Sequence, residues 1–262
     1  MGEGERVAEQ ERGLNEPPTW IRGIIFVVWA VVSTIAYGIV CIAVGLVSRA
    51  AARGVGGAWC RHLLAVGGVR LSTEGIKKLD PNGRYVFLSN HGSALDIPVL
   101  IVGLPYAVTF MAKKELFRIP FFGWGITVLG HIPVDRSSAR KARESIVRAA
   151  ERIAREAISL ILFPEGTRSE TGEVGEFKQG SLALAQRAGV PVVPVLLEGT
   201  HRVLGKKKAL IRPGTVRLIV GDPISAAEAR ETDKRELADC MRNAIIQMRA
   251  EAAATRQCSV TS

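Results

Sequence analysis

Residues 85–96 read Tyr-Val-Phe-Leu-Ser-Asn-His-Gly-Ser-Ala-Leu-Asp, and residues 97–103 continue Ile-Pro-Val-Leu-Ile-Val-Gly. The first five are aromatic, β-branched or small and follow an Asn82-Gly83 turn signal, so they predict a strand over Tyr85–Ser89. Residues 94–103 start a helix. A strand that enters a helix through a short polar loop is the building unit of a layered α/β fold. Loops at such strand ends are also where α/β folds place reactive groups. Here the loop carries His91 and, five residues on, Asp96. A carboxylate at that spacing can accept from one ring nitrogen and fix the tautomer, which leaves the other nitrogen free to take a proton. Taken singly, a His before a helix also serves as a cap, and Asp96 in a first turn also suits the helix dipole.

The same pattern extends in both directions. Strands are expected at Val69–Thr73, Ala107–Met111, Ser159–Phe163, Val192–Leu196 and Val216–Val220, with a short one inside residues 130–136. Ser137–Ala157 reads as an Arg-rich amphipathic helix with Ile146, Ile153 and Ala157 inward. Gly180–Ala188 is helical, and Ser225-Ala-Ala-Glu228 is a capping box opening one last helix to about Ala253. No internal repeat is present.

The 262 residues are 47% hydrophobic, with 35 Lys+Arg against 25 Asp+Glu and a net charge of +10. Mean hydropathy is +0.18. One apolar anchor on a globular body fits these values; several spans do not. The positive excess favours acidic partners, lipid head groups and phosphorylated substrates among them. The Lys and Arg residues are dispersed without aromatic interleaving, which argues against nucleic acid. The four cysteines lack metal-ligand spacing and read as reduced.

Residues 1–19 are polar and aperiodic and are expected to form a mobile tail. Arg6 stands where a myristoylation signal wants Ser or Thr. Ile24 to Val47 carries no charged residue. As a helix it would extend about 36 Å, enough for a hydrocarbon core. Its Glu-rich front is unlike that of a signal peptide. Gly38, Gly45 and Ser33 leave room for a bent hairpin in one leaflet as well as for a span. Residues 20–64 are therefore expected to anchor the chain and residues 65–262 to form the body.

Other loops could join His91 and Asp96. Phe163-Pro-Glu-Gly-Thr-Arg-Ser169 follows the apolar run Leu160–Phe163; its Gly166 permits close backbone approach and its Arg168 offers a fork suited to phosphate. Phe177-Lys-Gln-Gly180 adds Lys178 at a helix entry. Gly130-His-Ile-Pro-Val-Asp-Arg136 ends in an acid and an Arg, and Lys113-Lys114 add more positive charge. The aromatic-rich stretch Leu116–Leu129 could be core, could dip into a membrane, or could line an acyl channel.

Taken together, these segments resemble the glycerolipid acyltransferases, most closely the 1-acyl-glycerol-3-phosphate (lysophosphatidic acid) acyltransferases. The pattern Asn-His-x4-Asp is met by Asn90, His91 and Asp96, and Gly-x-Ile-x-x-x-Arg by Gly130, Ile132 and Arg136. Phe-Pro-Glu-Gly-Thr-Arg-Ser is met in full at 163–169, and the Val-Pro run at Val190–Val195. Ala94 departs from the bulky aromatic many members carry nearby. The resemblance implies a single α/β acyltransferase domain with a mixed central sheet flanked by helices. It implies His91 as general base, Asp96 as its orienting partner, and no acyl-enzyme, with Ser93 as nucleophile a lesser alternative. The N–H groups after His91, or Thr167, would hold the oxyanion. Lys113, Arg136, Glu165, Gly166, Thr167, Arg168 and Lys178 would bind substrate, with no metal or cofactor. The acceptor would be lysophosphatidic acid, another lysophospholipid or a lyso-aminolipid. The donor would be an acyl-carrier-protein or coenzyme A thioester, and the domain would work at a membrane on its cytoplasmic face. A non-catalytic membrane-binding protein is the alternative from another class.

Overall fold

The structure is a computed structural model and describes residues 19–135, 137–156, 158–206 and 210–260. The polar tail expected at residues 1–19, apart from Thr19, lies outside the described residues. So do Arg136 and Ala157.

Helix α1 (Thr19–Gly45) and helix α2 (Arg49–Val66) form a hairpin. Ser48 caps α2 by accepting from the Ala51 N–H, the role a small hydroxyl residue plays at a helix start. The turn falls after Gly45, so the chain bends between two helices and not at Gly38 or Ser33. A core helix of this length would be mostly buried. In α1 only 22% of the most apolar window is buried, and Ile24, Val28, Val32 and Val40 lie exposed. Its other face packs along the body. A side chain at Gly23, Gly38 or Gly45 would run into Leu210, Phe121 or Val128 respectively.

The body has strands β1 (Val69–Glu74), β2 (Val86–Ser89), β3 (Val108–Lys113), β4 (Ile132–Val134), β5 (Ser159–Leu162), β6 (Val192–Glu198) and β7 (Gly214–Val220). They form one sheet in the order β1-β7-β6-β2-β5-β3-β4. Strands β6, β2, β5, β3 and β4 are mutually parallel, while β7 runs antiparallel to β6 and pairs in parallel with β1. The expected mixed sheet is thus present, with one reversal, between β6 and β7. Strands β2 and β5 are buried at every position, as continuous apolar runs demand when both faces of a sheet are covered.

Helix α3 (Asp96–Gly103) and α2 cover one face, over Phe87, Phe110, Ile161 and Val195. Phe26 of α1 and Leu63 and Leu64 of α2 belong to this same core cluster, so the apolar hairpin is packed into the body. Short helix α4 (Phe122–Val128) lies against α1. Helices α5 (Ala139–Arg155), α6 (Gln179–Ala188) and α9 (Lys234–Val260), with the short α8 (Ala226–Glu231), cover the other face, while the short α7 (Thr200–Val203) puts Val203 into the first cluster. Ile153 of α5 is fully buried and Ile146 packs partly buried.

The last expected helix is in fact two. Ser225 caps α8 by accepting from Glu228 N–H as the capping box requires, but the helix stops at Thr232. Asp233 then accepts from Arg235 and Glu236 N–H and starts α9. A second Asp cap outcompetes continuation.

Candidate active site

Because five strands run parallel, the loops after them leave the same edge of the sheet. His91 follows β2, the Phe163–Ser169 loop follows β5, Lys113 ends β3, and the α7 segment follows β6. Side chains from four separate loops are thereby gathered at one edge, the usual position of ligand sites in open parallel sheets.

Asn90 sets the first loop. Its Nδ2 donates to Leu197 O (2.9 Å) and its Oδ1 accepts from Leu197 N–H (2.8 Å). This two-point clamp fixes the end of β2 to the neighbouring β6. Beyond it, Asp96 Oδ2 accepts three bonds: from His91 Nδ1 (2.7 Å), Gly92 N–H (2.8 Å) and Ser93 N–H (2.9 Å). Asp96 is completely buried. Three donors on one oxygen require an acceptor there, so the carboxylate imposes Nδ1–H on His91 and leaves Nε2 as the lone-pair nitrogen. Nε2 has no hydrogen-bond partner among the described residues. The imidazole stacks on Phe163, centroids 4.0 Å apart and planes at 20°, so both its orientation and its tautomer are set.

Two sequence expectations change here. Gly92 and Ser93 N–H groups point at Asp96, and His91 N–H donates to Glu165 Oε1 (2.9 Å). The N–H groups at and directly after His91 are thus spoken for and do not form an oxyanion hole; Thr167 Oγ1 remains. Ser93 is fully buried, and its Oγ accepts from Leu95 N–H (3.0 Å). It is a turn-stabilising hydroxyl, out of reach of a substrate.

The second loop is stitched to the first. Besides the Glu165 bond, Ser169 N–H donates to His91 O at 2.7 Å. Burial pushes the Glu165 carboxyl above its ordinary value, and the N–H groups of His91 and Gly175 pull it part of the way back. Glu165 is therefore a strut between loops, 7% exposed. Gly166 has φ +73°, in the left-handed region, and a Cβ there would stand 2.9 Å from Lys178 Nζ. Glycine thus lets both the turn and the ammonium approach. Thr167 is exposed and Arg168 partly exposed, with no ion-pair partner for Arg168 among the described residues. Lys113 is exposed at the end of β3, 3.7 Å from Glu115. Lys114 is held by Asp135 at 2.8 Å.

A cavity of about 620 Å³ lies between the helical hairpin, α3 and the sheet. Its wall includes Ala94 and Leu95 from the His91 loop, Phe26 from α1, Trp59 from α2, and Leu129 and His131 near β4. From β2 to β4 is three strand spacings, about 14 Å. Leu116, Phe122 and Ile126 also line it, while Ile126 belongs to the core cluster and Phe117 and Phe122 pack against it, so the stretch Leu116–Leu129 is at once core and cavity wall. His131 stacks on Phe110 with centroids 3.7 Å apart. Burial, followed by Arg152 and Arg53, pushes its pKa down to about 3, which keeps it neutral.

A family model described as acyltransferase matches residues 70–198. The chain belongs to the acyltransferase family. It is 34% identical over 171 residues to a 1-acyl-sn-glycerol-3-phosphate acyltransferase of Cocos nucifera, covering 65% of this chain and 55% of that protein. It is 30% identical over 172 residues to the Pseudomonas aeruginosa protein of the same description, covering 64% and 66%. The chain thus matches little more than half the length of the coconut protein. A crystal structure of the 1-acyl-sn-glycerophosphate (LPA) acyltransferase PlsC from Thermotoga maritima superposes with a TM-score of 0.79 at 26% identity, covering 90% of this chain and 96% of that one.

Local spacing gave His91, Asp96 and the 163–169 loop. It gave no sign of His201 or Lys206, which the fold also brings to this edge. A Cβ at Gly92 would lie 3.2 Å from His201 Cβ, and Lys206 Nζ is 3.5 Å from Thr167 Oγ1.

Proposed function

We propose that this protein transfers a fatty acyl group from an acyl thioester to the sn-2 hydroxyl of 1-acyl-sn-glycerol-3-phosphate, giving phosphatidic acid. The observation that carries this reading is the buried Asp96 holding His91 with Nε2 free, at the edge of an apolar cavity and beside a cationic loop.

The acceptor hydroxyl attacks the thioester carbonyl carbon while His91 Nε2 takes its proton. The resulting imidazolium is compensated by Asp96, as in the hydrolase triads. The tetrahedral oxyanion then collapses, the C–S bond breaks, and the imidazolium returns the proton to the departing thiolate. The substrate alcohol is the only nucleophile, so no acyl-enzyme forms. Thr167 is the side-chain donor assigned to the oxyanion or to the acceptor phosphate. Arg168 and Lys178 hold the phosphate by charge-assisted bonds, and Lys113 and Arg136 assist. Glu165 and Gly166 shape the turn that presents them. The donor is a coenzyme A or acyl-carrier-protein thioester, its chain housed in the cavity. The exposed apolar face of α1 anchors the enzyme in the membrane, with the domain on the cytoplasmic face.

The test is an acyl-transfer assay on detergent-solubilised protein with a labelled acyl thioester, 1-acyl-glycerol-3-phosphate and a panel of other lysolipids. Phosphatidic acid from the wild type and none from His91→Ala is the expected result. Product only with another lysolipid keeps the chemistry and moves the acceptor; no product with any acceptor overturns the reading.

A further inference from the structure

The family match ends at residue 198, at the end of β6. The segment that follows, Thr200 to Lys206, is nevertheless tied to both motif loops. Gly205 makes an antiparallel bridge with Ser93, inside the His91 loop. The His201 side chain is wedged between glycines: a Cβ would meet it at 3.2 Å from Gly92 and at 3.0 Å from Gly172. Lys206 extends from this braced turn to the other loop. Its Nζ lies 3.5 Å from Thr167 Oγ1 and 3.3 Å from Glu170 Oε1.

From this placement we infer that Lys206 is a further cation of the acceptor-phosphate site. The turn between Glu165 and Arg168 is then approached by two ammonium groups, Lys178 over Gly166 and Lys206 at Thr167. The ion pair with Glu170 does not use up Lys206. Glu170 is about half exposed, and an exposed pair of this kind is weak and screened. A phosphate monoester carries more charge and more acceptor oxygens than a carboxylate, so it displaces Glu170 when it binds at Thr167. Lys206 Nζ bonded to Thr167 Oγ1 also orients that hydroxyl, which leaves its O–H to donate to the same phosphate. The preceding residues support this role: Gly205 bridges Ser93 and His201 packs against Gly92, so the chain bearing the Lys206 ammonium is fixed relative to the His91 loop.

The inference rests on the proposed acceptor, and the experiment separates the two. Acceptor and donor KM are measured for wild type, Lys206→Gln, Lys206→Arg and Glu170→Gln. Equilibrium binding of labelled 1-acyl-glycerol-3-phosphate to the same detergent-solubilised proteins is measured alongside. The expected result is about a tenfold rise in acceptor KM and a matching loss of binding for Lys206→Gln, the usual size for one charge-assisted bond. The donor KM stays unchanged, Lys206→Arg largely restores affinity, and Glu170→Gln costs nothing. With a phosphate-free monoacylglycerol as ligand, wild type and Lys206→Gln bind alike. An unchanged acceptor KM together with unchanged binding overturns the inference, as does an equal loss in Glu170→Gln, which would make the pair structural. A rise in donor KM alone places Lys206 on the thioester and also overturns it. If the wild type binds the phosphorylated lipid but makes no phosphatidic acid, the proposed reaction fails while the binding data still decide Lys206.

Discussion

Replacing Asp96 by Asn tests the centre of the mechanism. The side chain keeps its shape, and its carbonyl oxygen can still accept from His91, Gly92 and Ser93. Two things change. The amide nitrogen takes the place of Oδ1, which is buried without a hydrogen-bond partner among the described residues, so a donor is orphaned at about 1–3 kcal/mol. The imidazolium also loses its counter-charge. With Nδ1 and Oδ2 2.7 Å apart, the charge centres lie about 4 Å apart, and at an effective dielectric of about 20 their attraction is about 4 kcal/mol. That corresponds to about three decades in rate. The assay is initial-rate transfer at saturating donor and acceptor, with circular dichroism and a thermal melt to show that the variant is folded. A folded Asp96→Asn enzyme within tenfold of wild-type kcat would refute the claim that His91 becomes a cation stabilised by Asp96.

Arg168→Ala should raise the acceptor KM by about 10- to 100-fold with a smaller change in kcat, as loss of a charged phosphate bond implies; steady-state kinetics against acceptor concentration read it. Gly166→Ala should cost about 1 kcal/mol in backbone strain at φ +73° and push Lys178 aside, seen as a lower melting temperature and a raised acceptor KM. Glu165 gives a pH signature. Its carboxyl is raised in the folded state, so the folded protein holds its proton longer than the unfolded chain does. Stability conferred by that proton is present at acid pH and is lost as pH climbs from the ordinary carboxylate value through the raised one. Urea melts across that range should show the decline in wild type and its absence in Glu165→Gln. Gly57→Phe, on the α2 wall of the cavity where a Cβ meets only Arg61 at 3.9 Å, should depress transfer of long acyl chains more than short ones, measured with a donor chain-length series.

The sequence was most legible where chemistry and secondary structure share a short window. Residues 85–103 held strand, loop and helix together, so spacing offered His91 and Asp96 as a pair, and the further motifs in order chose that reading over a helix cap. Strand ends were displaced by a residue or two, as with β3, which runs to Lys113 and not Met111. What stayed hidden depends on contacts between residues far apart in the chain. Asn90 is clamped to Leu197, 107 residues away. Glu165 offers its carboxylate to the His91 N–H, a bond no local pattern encodes. The reversal between β6 and β7, the division of α8 from α9 at Asp233, and the arrival of Lys206 beside Thr167 belong to the same class. The apolar hairpin was visible as an anchor, but its place in the core through Phe26, Leu63 and Leu64 was not.

Helix α1 has one further consequence. Phe26 and Ala30 line the cavity, while Val27, Val28 and Val31 face outward from the same helix. A single helix thickness, about 10 Å, therefore separates the cavity from whatever the outer face touches. With that face against lipid, the cavity is an inlet of the bilayer's own hydrocarbon phase. A methylene moved from water into such a space gains about 0.8 kcal/mol, but one moved from the bilayer interior has already left water and gains almost nothing. Discrimination among chains presented by a membrane then rests on the shape of the inlet, and solvation contributes only for donors delivered from water.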